Sequence, residues 1–113
     1  MSEFIFLYRR PQTPDLSPKQ LEERMHRWRA WFDKLEKGGH LLSIGQPLAD
    51  EGGGVVRDAK GTMTDGPYAE TKDIVIGYSV IAATDFAEAV RLTEGWPAFA
   101  EGGVLEVRPV RKM

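Results

Sequence analysis

Phe4-Ile5-Phe6-Leu7-Tyr8 is an unbroken run of aromatic and aliphatic side chains, closed by Arg9-Arg10-Pro11. A strand that is wet on one face alternates apolar with polar residues. A run without alternation predicts a strand covered on both faces. One later segment reads the same way: Ile74–Ala82, Ile-Val-Ile-Gly-Tyr-Ser-Val-Ile-Ala. These two runs are expected at the centre of a sheet, and the remaining elements fall into place around them.

Between them, Ser17-Pro18-Lys19-Gln20 opens a helix. Ser17 is the N-cap, Pro18 occupies the first helical position, and Gln20 completes a capping box. Leu21, Met25, Trp28, Phe32 and Leu35 then recur at helical spacing on one face, which Trp31 widens. Lys34 and Lys37 suit the negative end of the helix dipole, and Gly38-Gly39 stops the helix. Leu41–Ile44 reads as a short strand and Gln46–Gly54 as a loop. Val55–Arg57 and Thr62–Thr64 form a small hairpin around Asp58–Gly61. After Ile74–Ala82, Asp85 caps a second helix with Phe86, Ala89 and Val90 facing inward, ended by Gly95 and Pro97. Val104–Val110 is the last strand; it alternates, so one of its faces is wet.

The order predicts an α+β chain: a ferredoxin-like βαββαβ sandwich with an inserted β-hairpin. In that topology the first and third main strands are central, where the two apolar runs fall. Two helices cover one face of such a sheet. The other face would remain apolar and open, so a homodimer packed sheet to sheet is expected.

With 113 residues the chain reads as a single domain over 1–113. A net charge of −2 and a pI near 5.7 argue against a nucleic-acid partner. No apolar run reaches membrane-spanning length, and the N-terminal run lacks the layout of a signal peptide, so no membrane and a cytoplasmic location are expected. There is no cysteine, and the two histidines, His26 and His40, are far apart, which leaves no metal-ligand spacing. Gly52-Gly53-Gly54 lacks the Lys-Ser/Thr of a phosphate loop, so no cofactor is expected.

The densest group of polar side chains is Thr64–Lys72, Thr-Asp-Gly-Pro-Tyr-Ala-Glu-Thr-Lys, around a turn that Gly66 and Pro67 enforce. Asp65 reads either as a general base, if burial raises its pKa, or as an Asx-type turn residue accepting backbone N–H bonds. Tyr68, Glu70 and Lys72 are candidate ligand contacts, with packing and a surface ion pair as their plainer roles. His40, after the helix-ending glycines, is a candidate proton-transfer group. Arg9, with Arg10 beside it, closes a central strand where an acidic group would be received. Trp28, Trp31 and Phe32 are either core or the wall of an aromatic pocket.

Taken together, Thr64-Asp65-Gly66-Pro67-Tyr68, Glu70 and Lys72, Gly77-Tyr78, Glu88-Ala89, Gly102-Gly103 and Glu106-Val107-Arg108-Pro109-Val110 resemble the YCII-related proteins of the DGPF subgroup. The resemblance covers nearly the whole chain and implies a dimeric α/β barrel with a cleft between the sheet and its partner. It implies no single reaction. Some DGPF proteins are associated with alternative sigma factors, which suggests an accessory or regulatory role. Some YCII relatives act on chlorinated hydroxyquinones, with a His–Asp pair proposed as catalytic. Here the relatives' helix histidine falls at Trp28, and His26 is two positions away, so that pair does not carry over. Two functions follow. One is a small-molecule-binding or accessory protein. The other is a cofactor-free lyase or isomerase moving a proton through Asp65 or His40.

Overall fold

The computed structural model describes residues 1–11, 16–49, 54–66 and 74–113, with the side chains at 56, 64 and 65 excepted. In chain order the elements are β1 (Ser2–Arg10), α1 (Pro18–Lys37), β2 (Leu41–Ser43), β3 (Gly54–Arg57), β4 (Met63–Gly66), β5 (Ile74–Ala83), α2 (Phe86–Arg91), a 3-10 segment (Pro97–Glu101) and β6 (Val104–Pro109). Strands β2-β5-β1-β6 make one four-stranded sheet, and every pairing in it is antiparallel. The two apolar runs, β1 and β5, are its central strands, an order compatible with a ferredoxin-like fold. β3 and β4 pair with each other in a separate two-stranded sheet. Among the described residues, no helix is long and apolar enough to cross a membrane.

The helix α1 starts where its capping residues dictate. Ser17 Oγ accepts from the Gln20 backbone N–H, and the Gln20 side chain accepts from the Ser17 N–H. Asp85 caps α2 in the same manner, accepting from the Glu88 N–H at 2.8 Å.

The sequence of β1 does not alternate, but its burial does. Phe4, Phe6, Tyr8 and Arg10 are buried beneath the helices, while Ile5, Leu7 and Arg9 are half-buried on the opposite face. On β5, Val75 and Tyr78 share that opposite face and are each 37% exposed. In the single chain the second face is therefore apolar and uncovered, as expected of a sheet whose two helices cover one face. A bulge keeps β5 in step. Tyr8 lies opposite Gly77 but Arg9 lies opposite Val75, so Ile76 is the extra residue. It lets Ile74 below the bulge and Ser79 and Ile81 above it face the helices together.

The core joins Phe6, Tyr8, Trp31, Leu35, Ile76, Ile81 and Trp96. Trp96, from the turn before the 3-10 segment, stacks on Tyr8 with ring centroids 5.5 Å apart and planes at 21°. A side chain at Gly103 would place its Cβ 2.9 Å from the Trp96 ring and 2.7 Å from the Ala98 carbonyl oxygen, so the chain there must be glycine to close over the ring.

Two details of the helices depart from the periodicity. Trp31 and Leu35 are the buried residues of α1, Trp28 and Phe32 are half-buried, and Leu21 and Met25 are exposed. The first half of α1 overhangs a cavity instead of a packed core. On α2 only Ala89 is buried; Phe86 and Val90 are 51% and 45% exposed, because a helix this short turns a single residue fully onto the sheet.

This burial pattern predicts unequal costs along the helix. Trp31→Ala should destabilise by about 3–5 kcal/mol, the range for deleting a buried aromatic ring. Trp28→Ala should cost clearly less. Chemical denaturation of both variants checks this, and an equal loss would contradict the difference in burial.

Candidate functional site

The face of α1 beside its core-facing residues forms the roof of a cavity of about 310 Å³. Its roof residues, Arg24, Met25, Trp28, Arg29 and Phe32, follow helical spacing along one face. Tyr8 and Arg10 of β1 and Ile76, Gly77 and Tyr78 of β5 form the floor. The third wall is residues 44–48, which run as a strap along the edge of β5 beyond the end of β2.

The strap is held by backbone geometry. Leu48 N–H donates to the Ile76 carbonyl at 2.8 Å, Pro47 bridges to Gly77, and Ser79 Oγ donates to the Ile44 carbonyl at 2.7 Å. Gly45 has φ +71°, and any Cβ there would collide with the Tyr78 carbonyl. Both its conformation and its closeness to β5 require glycine. The bulge at Ile76 thus does two jobs: it corrects the facing of β5 and it turns a carbonyl outward to anchor the strap.

The cavity walls are aromatic. Tyr8 meets Trp28 edge-on at 5.1 Å, and Trp28 and Phe32 lie 5.8 Å apart. The charges on the described lining are all positive: Arg10, Arg24 and Arg29, with no carboxylate among those residues. Arg24 is engaged by Glu101 at 2.8 Å, a partly buried pair that ties α1 to the 3-10 segment. Arg10 is buried and donates to the Pro11 carbonyl at 3.3 Å, among other contacts. Tyr8 is 2% exposed. Burial pushes its phenol well above the ordinary tyrosine value, with the nearby Ser79 hydroxyl pulling it partly back. That hydroxyl is already donated to Ile44, and no described group meets hydrogen-bonding geometry with Tyr8 Oη.

The residues singled out in the sequence lie elsewhere or outside the description. Arg9 is on the opposite face of the sheet from Arg10, donating to Glu106 Oε1 at 3.3 Å through both Nε and Nη2. His40 sits at the other end of β5. Its Nδ1 is 2.8 Å from the Ala82 carbonyl oxygen, and a carbonyl only accepts, so Nδ1 carries the proton. Glu88 is 3.9 Å from the same nitrogen. Gly77 and Ala82 are separated along the strand by roughly 16 Å at the usual rise per residue, so His40 does not meet the cavity. Asp65 lies on β4 opposite Val55, and its side chain is outside the description. Tyr68, Glu70 and Lys72 are outside the described residues altogether. The strand therefore extends to Gly66, past the Thr64 at which the sequence placed its end. Arg24 and Arg29 were not anticipated, although the spacing Met25, Arg29, Phe32 marks a second helical face beside the core-facing one.

A four-stranded antiparallel sheet under two helices makes this an α+β protein whose arrangement is compatible with a ferredoxin-like fold. The YCII-related domain model matches residues 1–113, and the chain belongs to that family. No curated protein matches it.

The Tyr8 hydroxyl gives a test of the site's energetics. A buried hydroxyl without a partner costs about 1–3 kcal/mol, so Tyr8→Phe should leave stability unchanged or raise it. The folded-state pKa is raised, so the unfolded chain ionises first. The neutral phenol's contribution is present below about pH 10, the unfolded value, and is lost as pH climbs above it. Stability of Tyr8→Phe should accordingly fall less steeply in that alkaline range. Urea titrations from pH 8 to 11 measure both effects; a destabilised Tyr8→Phe would mean that the hydroxyl has a partner.

Proposed function

We propose that this protein is a small-molecule-binding member of the YCII-related family, acting as a homodimer in an accessory or regulatory role. The observation that carries the reading is the cavity beneath α1: about 310 Å³, aromatic on two sides and bounded by arginines. Ligand sites are commonly concave and mainly apolar, with a few placed polar groups. The Asp65-Gly66-Pro67-Tyr68 motif supports the DGPF subgroup. The stretch it begins runs in sequence directly into β5, whose first residue, Ile74, lies opposite Arg10 of the cavity.

Homodimerisation is supported by the open sheet face. Ile5, Leu7, Val75, Tyr78 and Val80 lie there between half-buried and exposed, a contiguous apolar surface of the kind that monomers seldom leave bare. The lyase or isomerase reading has less support. It needs a proton acceptor, and the described lining carries neither a carboxylate nor a histidine.

Sedimentation at micromolar concentration should give twice the chain mass of 12.7 kDa. Leu7→Glu, which places a charge in the centre of the open face, should shift the protein to monomer. A wild-type monomer would remove the dimer from the proposal.

A thermal-shift screen of small organic compounds tests the cavity. A compound present at 100 times its dissociation constant should stabilise the fold by about 2.7 kcal/mol. Met25→Trp, which fills the mouth of the cavity from an exposed position, should remove the shift. Hits that survive Met25→Trp unchanged would place binding elsewhere.

A further inference from the structure

The cavity's charge is uneven. Glu101 neutralises Arg24, and Arg10 is held by Pro11 and further contacts. Arg29 is different. It stands on the exposed side of α1, one turn after Met25, and forms no ion pair or hydrogen bond with the described residues. It is the charge on this lining that a ligand can take up without breaking an existing pair.

The geometry behind Arg29 restricts what such a ligand looks like. Trp28 and Phe32 lie one position before Arg29 and three positions after it, on the same stretch of helix. Opposite them is Tyr8, buried among rings. An inorganic anion at Arg29 would leave these walls uncovered. A cation would face three guanidinium groups. A neutral apolar molecule would cover the rings and leave Arg29 to water. A flat apolar body carrying one negative group satisfies both parts of the site, since a guanidinium pairs with a carboxylate in a planar, two-pronged arrangement.

Resting on the reading of this cavity as the ligand site, we propose that its ligand is a small aromatic anion, with the ring against Trp28 and Phe32 and the negative group on Arg29. The proposal assigns recognition, not turnover.

Three probes with one ring system and different heads test it: 2-naphthoate, 2-naphthamide and 2-naphthylmethylammonium. Each is titrated calorimetrically into the 113-residue chain and into Arg29→Gln and Arg29→Lys. The carboxylate should bind tightest and the ammonium weakest. Arg29→Gln should weaken 2-naphthoate by about threefold to tenfold, the range for a partly exposed charge-assisted contact, and leave 2-naphthamide within about twofold. Arg29→Lys should recover part of the loss. Circular dichroism checks that both variants fold. Equal binding of carboxylate and amide, or an Arg29→Gln variant that binds 2-naphthoate as before, would overturn the anion and leave an apolar binding cavity standing. Preference for the ammonium would overturn it as well. Failure of all three probes to bind would remove the cavity reading together with the anion.

Discussion

Tyr8 stacked on Trp96 is the contact around which the rest of the molecule is arranged. Tyr8 belongs to the central strand β1, and Trp96 to the connection that leads from α2 into β6. Trp31 and Trp28 of α1 meet the same tyrosine ring edge-on, at 6.0 and 5.1 Å. One ring thus joins the first strand, the long helix and the approach to the last strand. Pairs of this kind contribute about 0.5–1.5 kcal/mol each beyond the area that they bury. The arrangement also restricts the backbone: Gly103 has to be glycine because Trp96 fills the space where a side chain would go.

Packing the aromatic residues this way divides α1 in two. Its second half places Trp31 and Leu35 onto the sheet and acts as core. Its first half leaves Leu21 and Met25 exposed, across from the β5 bulge at Ile76 and the strap at 44–48. The cavity is the space between them. It is a consequence of how the core closes, and the same Tyr8 ring serves as core on one side and cavity floor on the other.

Much of the fold was legible because its signals are local. A capping box needs only Ser17 and Gln20, a helix stop needs only glycine, and a strand centre shows as an apolar run. These gave β1, α1, β5 and the order of the sheet. What the sequence did not reveal depends on register. Trp28 and Trp31 share a periodic stripe, and which of them is buried is decided by where the sheet lies beneath the helix. Ile5 and Leu7 lie on the face away from the helices, and apolar residues look alike on both faces of a strand. The candidate site was less legible still. Arg9 and Arg10 are adjacent in sequence, but a strand sends neighbours to opposite faces, so one pairs with Glu106 on the open face and the other lines the cavity. The strap has no motif of its own beyond Gly45.

Net charge is a property of the whole chain, and recognition is a property of a few ångströms. The molecule carries −2 overall, yet the described lining of its cavity carries three guanidinium groups and no carboxylate. Nearby, Arg9 and Arg24 are each met by a glutamate, Glu106 and Glu101, which hold strands and segments together. An arginine matched in this way contributes to the fold and attracts little from outside. Arg29 projects from the exposed face of α1, two positions before the buried Trp31. The helix face that borders the cavity therefore carries a cation that no described residue pairs, beside the rings that anchor the helix to the core.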